Sequence, residues 1–140
     1  MIRVKEIMTS DLFTMDANVS LSEVHQLMAG KNIRHVPIVK EGELLGIVSH
    51  RDLMAATPIA NENKLGAYSK TNAGDIMRTG VETVMPESSA RIAALTLGSL
   101  KIGCLPVLSH GELVGIITSS DFVATAADLM LQAEQNVIAV

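Results

Sequence analysis

An internal repeat constrains this chain more than any other feature. Shifted against itself by 69 residues without a gap, the sequence superposes residues 5–53 on 74–122. The identities in that register are Ile7/Ile76, Met8/Met77, Thr14/Thr83, Ser20/Ser89, Ile33/Ile102, Pro37/Pro106, Gly42/Gly111, Glu43/Glu112, Leu44/Leu113, Gly46/Gly115, Ile47/Ile116 and Asp52/Asp121. Val36/Leu105, Ile38/Val107 and Ser49/Thr118 add conservative pairs. One supersecondary unit is therefore built twice, and 140 residues suffice for two small repeats sharing a core. The expected division is repeat one over 1–56, a linker over 57–72, repeat two over 73–125 and a tail over 126–140.

Each repeat opens on Ile-Met and a short extended stretch, around Phe13–Met15 or Glu82–Val84. Ser20-Leu21-Ser22-Glu23 matches a capping box, and Leu21, Val24, Leu27 and Met28 recur at helical spacing, which predicts an amphipathic helix. Two β-rich runs follow, Val36–Val39 and Leu44–Val48, parted by a turn at Glu41-Gly42 that His110-Gly111 mirrors in the second copy. Asp52 or Asp121 then falls in the first turn of another helix, whose apolar side includes Leu53-Met54 or Phe122-Val123. The order per repeat is β-α-β-β-α, an α/β chain of the α+β kind. The stretch 57–72 is polar and carries Pro and Gly, as a linker does. The tail reads as helix at first, with Leu129, Leu131 and Val137 to bury, for which a second copy of the chain offers a surface.

Composition narrows the function. Hydrophobic residues make up 48% and mean hydropathy is +0.33, yet no run approaches the roughly 18–20 apolar residues of a membrane span. The expectation is a soluble protein, without membrane insertion, that keeps apolar surface for a partner. Met1–Glu6 lacks the apolar core of a signal peptide, and Cys104, the single cysteine, cannot pair within the chain, so a reducing cytoplasm is expected. A net charge of −4, no cluster of Lys or Arg, and only Phe13, Tyr68 and Phe122 as aromatics argue against nucleic-acid binding. Free nucleotides stay open, because backbone amides and one or two charges can hold them.

The chemistry concentrates in "GIVSHRDL", residues 46–53, and its echo "GIITSSDF", residues 115–122. Ser49-His50-Arg51-Asp52 and Thr118-Ser119-Ser120-Asp121 can be read as capping boxes, in which the hydroxyl accepts from a helical amide and the acid reaches back. The same residues can also be read as a ligand site. A helix start offers amides to a phosphate, a carboxylate fixed nearby can accept two hydrogen bonds from a ribose diol, and the preceding Gly permits close approach. Elsewhere the chain offers little. His25 reads as surface or interface, His110 as a turn residue, and the four histidines lack the carboxylate or thiolate spacing of a metal site. Cys104 reads as a small core residue and the eight methionines as gap fillers.

The combination of Asp75-Ile76-Met77, "IRHVPIVKEGELLGIVSHRD" (33–52) and "IGCLPVLSHGELVGIITSSD" (102–121) resembles a tandem pair of cystathionine β-synthase (CBS) domains, over about residues 3 to 125. That resemblance implies two repeats packed sheet to sheet with pseudo-twofold symmetry. It also implies clefts that bind AMP, ADP, ATP or S-adenosylmethionine, and association of two modules into a homodimer. It assigns Asp52 and Asp121 to ribose, and Ser49 and Thr118 to the hydroxyl or phosphate side. Thr14-Met15, Thr83-Val84, Ile47-Val48 and Ile116-Ile117 would line adenine slots through backbone and apolar contacts. Arg34 and His35 precede Val36-Pro37, where Gly103 and Cys104 stand in the second repeat, and a basic residue there often reaches a nucleotide phosphate held by the sister repeat. The Asp121 site, completed by Arg34 and His35, is accordingly expected to be the better phosphate site. The Asp52 site, with His50 and Arg51 nearby, is expected to be weaker or to take a less charged adenosyl ligand. The implied protein is a regulatory sensor of adenosine nucleotides without catalytic residues or cofactor, acting on an unidentified protein partner. A structural dimerisation or adaptor module with empty clefts is the alternative.

Overall fold

The computed structural model describes residues 1–56 and 70–138. Most of the expected linker, residues 57–69, lies outside them, as does the side chain of Val137. The elements are α1 (Val4–Ile7), α2 (Leu21–Lys31), β1 (His35–Lys40), β2 (Glu43–Ser49), α3 (His50–Ala55), α4 (Ala73–Ile76), α5 (Ala90–Leu100), β3 (Cys104–Ser109), β4 (Glu112–Thr118) and α6 (Ser119–Ile138). Mixed helix and strand with two small antiparallel sheets is the architecture the repeat predicts.

The chain forms two compact units that are cut differently from the sequence repeats. One comprises residues 13–81, and the other joins residues 1–12 to 82–140. Each repeat's opening segment thus belongs to the unit built by the rest of its sister.

In the unit of residues 13–81, β1 and β2 form a hairpin in which Lys40 faces Glu43. Its two-residue turn sets Glu41 at φ 52° and Gly42 at φ 82°, the double positive φ of a type I′ connection. A β-bulge shifts the register between Ile38 and Val39. The Ser20 hydroxyl caps α2 by accepting from the Glu23 amide, and Asn32 ends the helix in the left-handed conformation. The apolar stripe does what its spacing predicts: Leu21, Val24 and Met28 are buried with Val36, Ile38, Val48, Leu53 and Ala73, while Leu27 packs at the edge. Burying each of the larger side chains contributes about 1.5–3 kcal/mol. The expected first strand shrinks to one parallel pairing of Met15 with Ile38, because the chain turns at once through an Asp16 side-chain bond to the Asn18 amide.

The other unit repeats the plan. β3 and β4 pair with the same bulge, here between Val107 and Leu108, and His110 and Gly111 take φ 51° and 82° at the turn. Its core gathers Ala93, Leu97, Leu105, Val107 and Ile117 around Val4, which arrives from the chain's first residues. Val4 corresponds to Ala73 in the 69-residue register, and each is fully buried, so α1 and α4 plug equivalent cores. Val84 pairs with Val107 as Met15 does with Ile38. The tail continues α6 to a 20-residue helix. Leu129 and Leu131, expected to be buried, are 46% and 53% exposed, since none of the described residues of their unit covers that stretch of the helix.

Candidate ligand-binding sites

The two hydroxyl and carboxylate pairs form as the spacing predicts, and the capping reading of them is correct. In the first, the Ser49 hydroxyl accepts from the Asp52 amide (3.1 Å) and donates to Asp52 Oδ2 (2.8 Å). In the second, the Thr118 amide and hydroxyl both donate to Asp121 Oδ2 (2.8 and 3.2 Å), while the hydroxyl accepts from the Asp121 amide (3.4 Å). Capping and ligand binding do not exclude each other, because a cap occupies only part of a carboxylate's four acceptor positions.

The residues that complete each site come from the exchanged segments, and the sequence reading passed over both. Arg78, just after α4, lays its guanidinium along Asp52: Nη2 reaches Oδ1 at 3.0 Å, and Nε is 3.1 Å from Oδ1 and 3.2 Å from Oδ2. At the corresponding place after α1, the Thr9 hydroxyl donates to Asp121 Oδ1 at 3.0 Å. The 69-residue register sets Thr9 on Arg78, two unlike residues, so the repeat marks their positions as equivalent without marking either as a partner of an aspartate.

Backbone pairing explains why these segments sit where they do. Ile47 and Arg78 exchange amide and carbonyl bonds (3.0 and 2.9 Å), as do Thr9 and Ile116 (2.8 and 2.9 Å). Such close pairing needs a neighbour without a side chain. A β-carbon on Gly46 would stand 2.6 Å from the Arg78 carbonyl oxygen, and one on Gly115 would stand 2.6 Å from Met8 Sδ and 3.2 Å from the Thr9 carbonyl oxygen. The glycine of each Gly-apolar-apolar motif therefore admits the chain's own segment, where the sequence reading had it admit a ligand.

Of the expected adenine-lining residues, Val48 and Ile117 are fully buried in the two cores, so what they present to a ligand is backbone. Ile47 and Ile116 are 5% and 8% exposed, Met15 and Val84 are half-buried beside the hairpins, and Thr14 and Thr83 are exposed. His35 lies across the hairpin from Ser49, and the carbonyl of the exposed Arg34 accepts from the His50 amide. Burial holds the His35 imidazole below its ordinary pKa, with the nearby Asp52 charge opposing and Arg34 adding to the effect. In the second unit Cys104 takes the place of His35, facing Thr118.

The two aspartates consequently differ in charge environment. Burial on its own would raise the Asp52 pKa, but the hydrogen bonds from Arg78 and Ser49 outweigh it and hold the carboxyl below its usual range. Around Asp52 stand Arg78 and His35; around Asp121 stand Thr9 and Thr118, both uncharged. Among the described residues no group of three His, Cys, Asp or Glu is placed to hold a metal ion, and no helix is long and apolar enough to cross a membrane.

Comparison with known proteins places this geometry. The CBS domain family matches residues 4–58 and again 73–134. Among solved structures, the chain is similar to a Vibrio cholerae protein assigned to acetoin utilization, AcuB, with 41% identity and a TM-score of 0.83 over 96% of this chain and 97% of that one. It is similar to the CBS domain pair of protein MJ0100 in complex with 5′-methylthioadenosine and S-adenosyl-L-methionine, with 28% identity and a TM-score of 0.78 over 91% and 98% of the two chains. It is also similar to CBSX2 in complex with AMP, with 25% identity and a TM-score of 0.80 over 93% and 99%. Two family matches, one on each repeat, show that the chain belongs to the CBS domain family as a tandem pair.

Proposed function

We propose that this chain is a regulatory module that binds an adenosyl compound and transmits its occupancy to a protein partner. The observation that carries the reading is the hydroxyl and carboxylate pair at Thr118 and Asp121, opening the 20-residue helix α6. Asp121 Oδ2 is taken by Thr118, but among the described residues Oδ1 accepts from the Thr9 hydroxyl alone, which leaves an acceptor position for one ribose hydroxyl and a second when the Thr9 hydroxyl turns away. The complexes of MJ0100 and CBSX2 share an adenosyl group and differ beyond it, which supports the adenosyl part as the common element. Binding acts by linkage: a ligand that favours one conformation shifts its population, and the partner reads that population. No residue in the reading has a catalytic role.

Calorimetric titration of AMP, ATP and S-adenosylmethionine tests this, with Asp121→Ala and Arg34→Ala in parallel. Binding that Asp121→Ala abolishes supports the reading. A selective loss for phosphorylated ligands in Arg34→Ala assigns that cation to phosphate. Folded protein that binds none of the three leaves the pairs as caps and the chain as a structural adaptor.

Self-association belongs to the same proposal. Leu95 and Leu100 on α5 and Val123, Met130 and Leu131 on α6 are half or more exposed, which supports a homodimer built on these helices. Sedimentation of the wild type beside Leu95→Glu and Leu131→Glu tests it, with a monomeric wild type as the contrary result.

A further inference from the structure

The two aspartates are alike in the repeat but not in what covers them. Asp121 Oδ2 accepts twice from Thr118 and Oδ1 once from Thr9, three bonds from uncharged groups. Asp52 Oδ1 accepts from Nη2 of Arg78 and Oδ2 from Ser49, while the single Nε proton of Arg78 is shared between the two oxygens, so two of its three donors belong to one cation that spans both oxygens. The Asp52 side chain is only 14% exposed, whereas Arg78 is 68% exposed. The carboxylate is thus fixed in its pocket, and the guanidinium over it is the part free to leave.

We propose that Arg78 is a specificity-determining residue that makes the Asp52 site conditional on an anion, a reading that rests on the adenosyl function proposed above. A neutral ribose diol must displace a two-pronged guanidinium from Asp52 and gives that cation nothing in exchange. A ligand bearing phosphate supplies Arg78 with a new partner while the diol takes the carboxylate. The Asp121 site carries no such gate, because Thr9 is uncharged and donates a single bond that can rotate away. The chain therefore discriminates a nucleotide from a nucleoside in one unit and accepts both in the other.

Adenosine and AMP, titrated into the wild type, Arg78→Thr, Arg78→Gln and Thr9→Arg, test the inference. Arg78→Thr installs the residue that repeat one carries at this position, and Arg78→Gln guards against a single variant that misfolds. The wild type is expected to take one adenosine and two AMP per chain, with the adenosine lost in Asp121→Ala. Either Arg78 variant is expected to take two adenosines, the second gaining about tenfold or more in affinity, and Thr9→Arg to weaken the first by about tenfold. Two adenosines on the wild type, or one still on both folded Arg78 variants, overturn the gate and leave the adenosyl reading standing. Absence of binding to every protein overturns both.

Discussion

Gly46 and Arg78 lie so close that a β-carbon on the glycine would stand 2.6 Å from the arginine's carbonyl oxygen. The clash is with backbone that is itself bonded to Ile47, so neither side can yield without breaking that pairing. At the corresponding Gly115 the nearest atom is the Met8 sulfur, the far end of a flexible side chain. Gly46→Ala should therefore cost about 3 kcal/mol and Gly115→Ala about 1 kcal/mol, within the range for overpacking. Urea denaturation of the two variants measures the difference, and equal losses would contradict the asymmetry.

Val4 belongs to a core cluster whose other buried members begin at Ala93. Val4→Ala removes two methyl groups from a fully buried position and should destabilise that unit by about 1–3 kcal/mol. The salt bridges from Arg3 and Lys5 to Glu87 are half exposed and contribute little, so Glu87→Gln should leave stability nearly unchanged. Hydrogen exchange separates the two effects: Val4→Ala is expected to loosen the amides of β3 and β4 and leave those of β1 and β2 unchanged.

Cys104 is buried, and desolvation pushes its thiol up to about 12. A thiol in that state is almost wholly protonated at neutral pH and is a poor nucleophile. Native protein should react with a disulfide probe at least a hundredfold more slowly than protein unfolded in guanidinium. Fast native labelling would show that the start of β3 opens readily.

What the sequence made legible was whatever is local. Caps, the α2 stripe, both hairpins and the Ser49/Asp52 and Thr118/Asp121 pairs all depend on residues within a few positions of each other. The exchange of opening segments was not legible, because Thr9 meets Asp121 across 112 residues and Arg78 meets Asp52 across 26. No periodicity encodes such distances. The glycine of the Gly-apolar-apolar motif illustrates the consequence, since its small size was evident but what it accommodates was not. Within its own unit His35 stands across the hairpin from Ser49 and within the field of Asp52, a pairing that follows from the hairpin register and not from any motif.

The Asp52 and Arg78 pair also sets a pH dependence whose sign can be worked out. The folded state holds the Asp52 carboxyl below its ordinary pKa of 3.8, so in the acid range the unfolded chain binds the proton more readily. Stability from this group is present in full above about pH 4 and is lost as pH falls through the folded pKa. With Arg78 two-thirds exposed, the pair contributes on the order of 1 kcal/mol after solvent screening. Arg78→Thr should therefore lower stability by that amount at pH 7, and the difference from wild type should shrink as pH falls below the ordinary carboxylate pKa. Denaturation midpoints between pH 2.5 and 7 check this, and a constant difference across the range would mean that the variant acts through packing instead. Added salt provides an independent control, because it should narrow the gap at pH 7 if the pair is electrostatic and leave it unchanged if it is not.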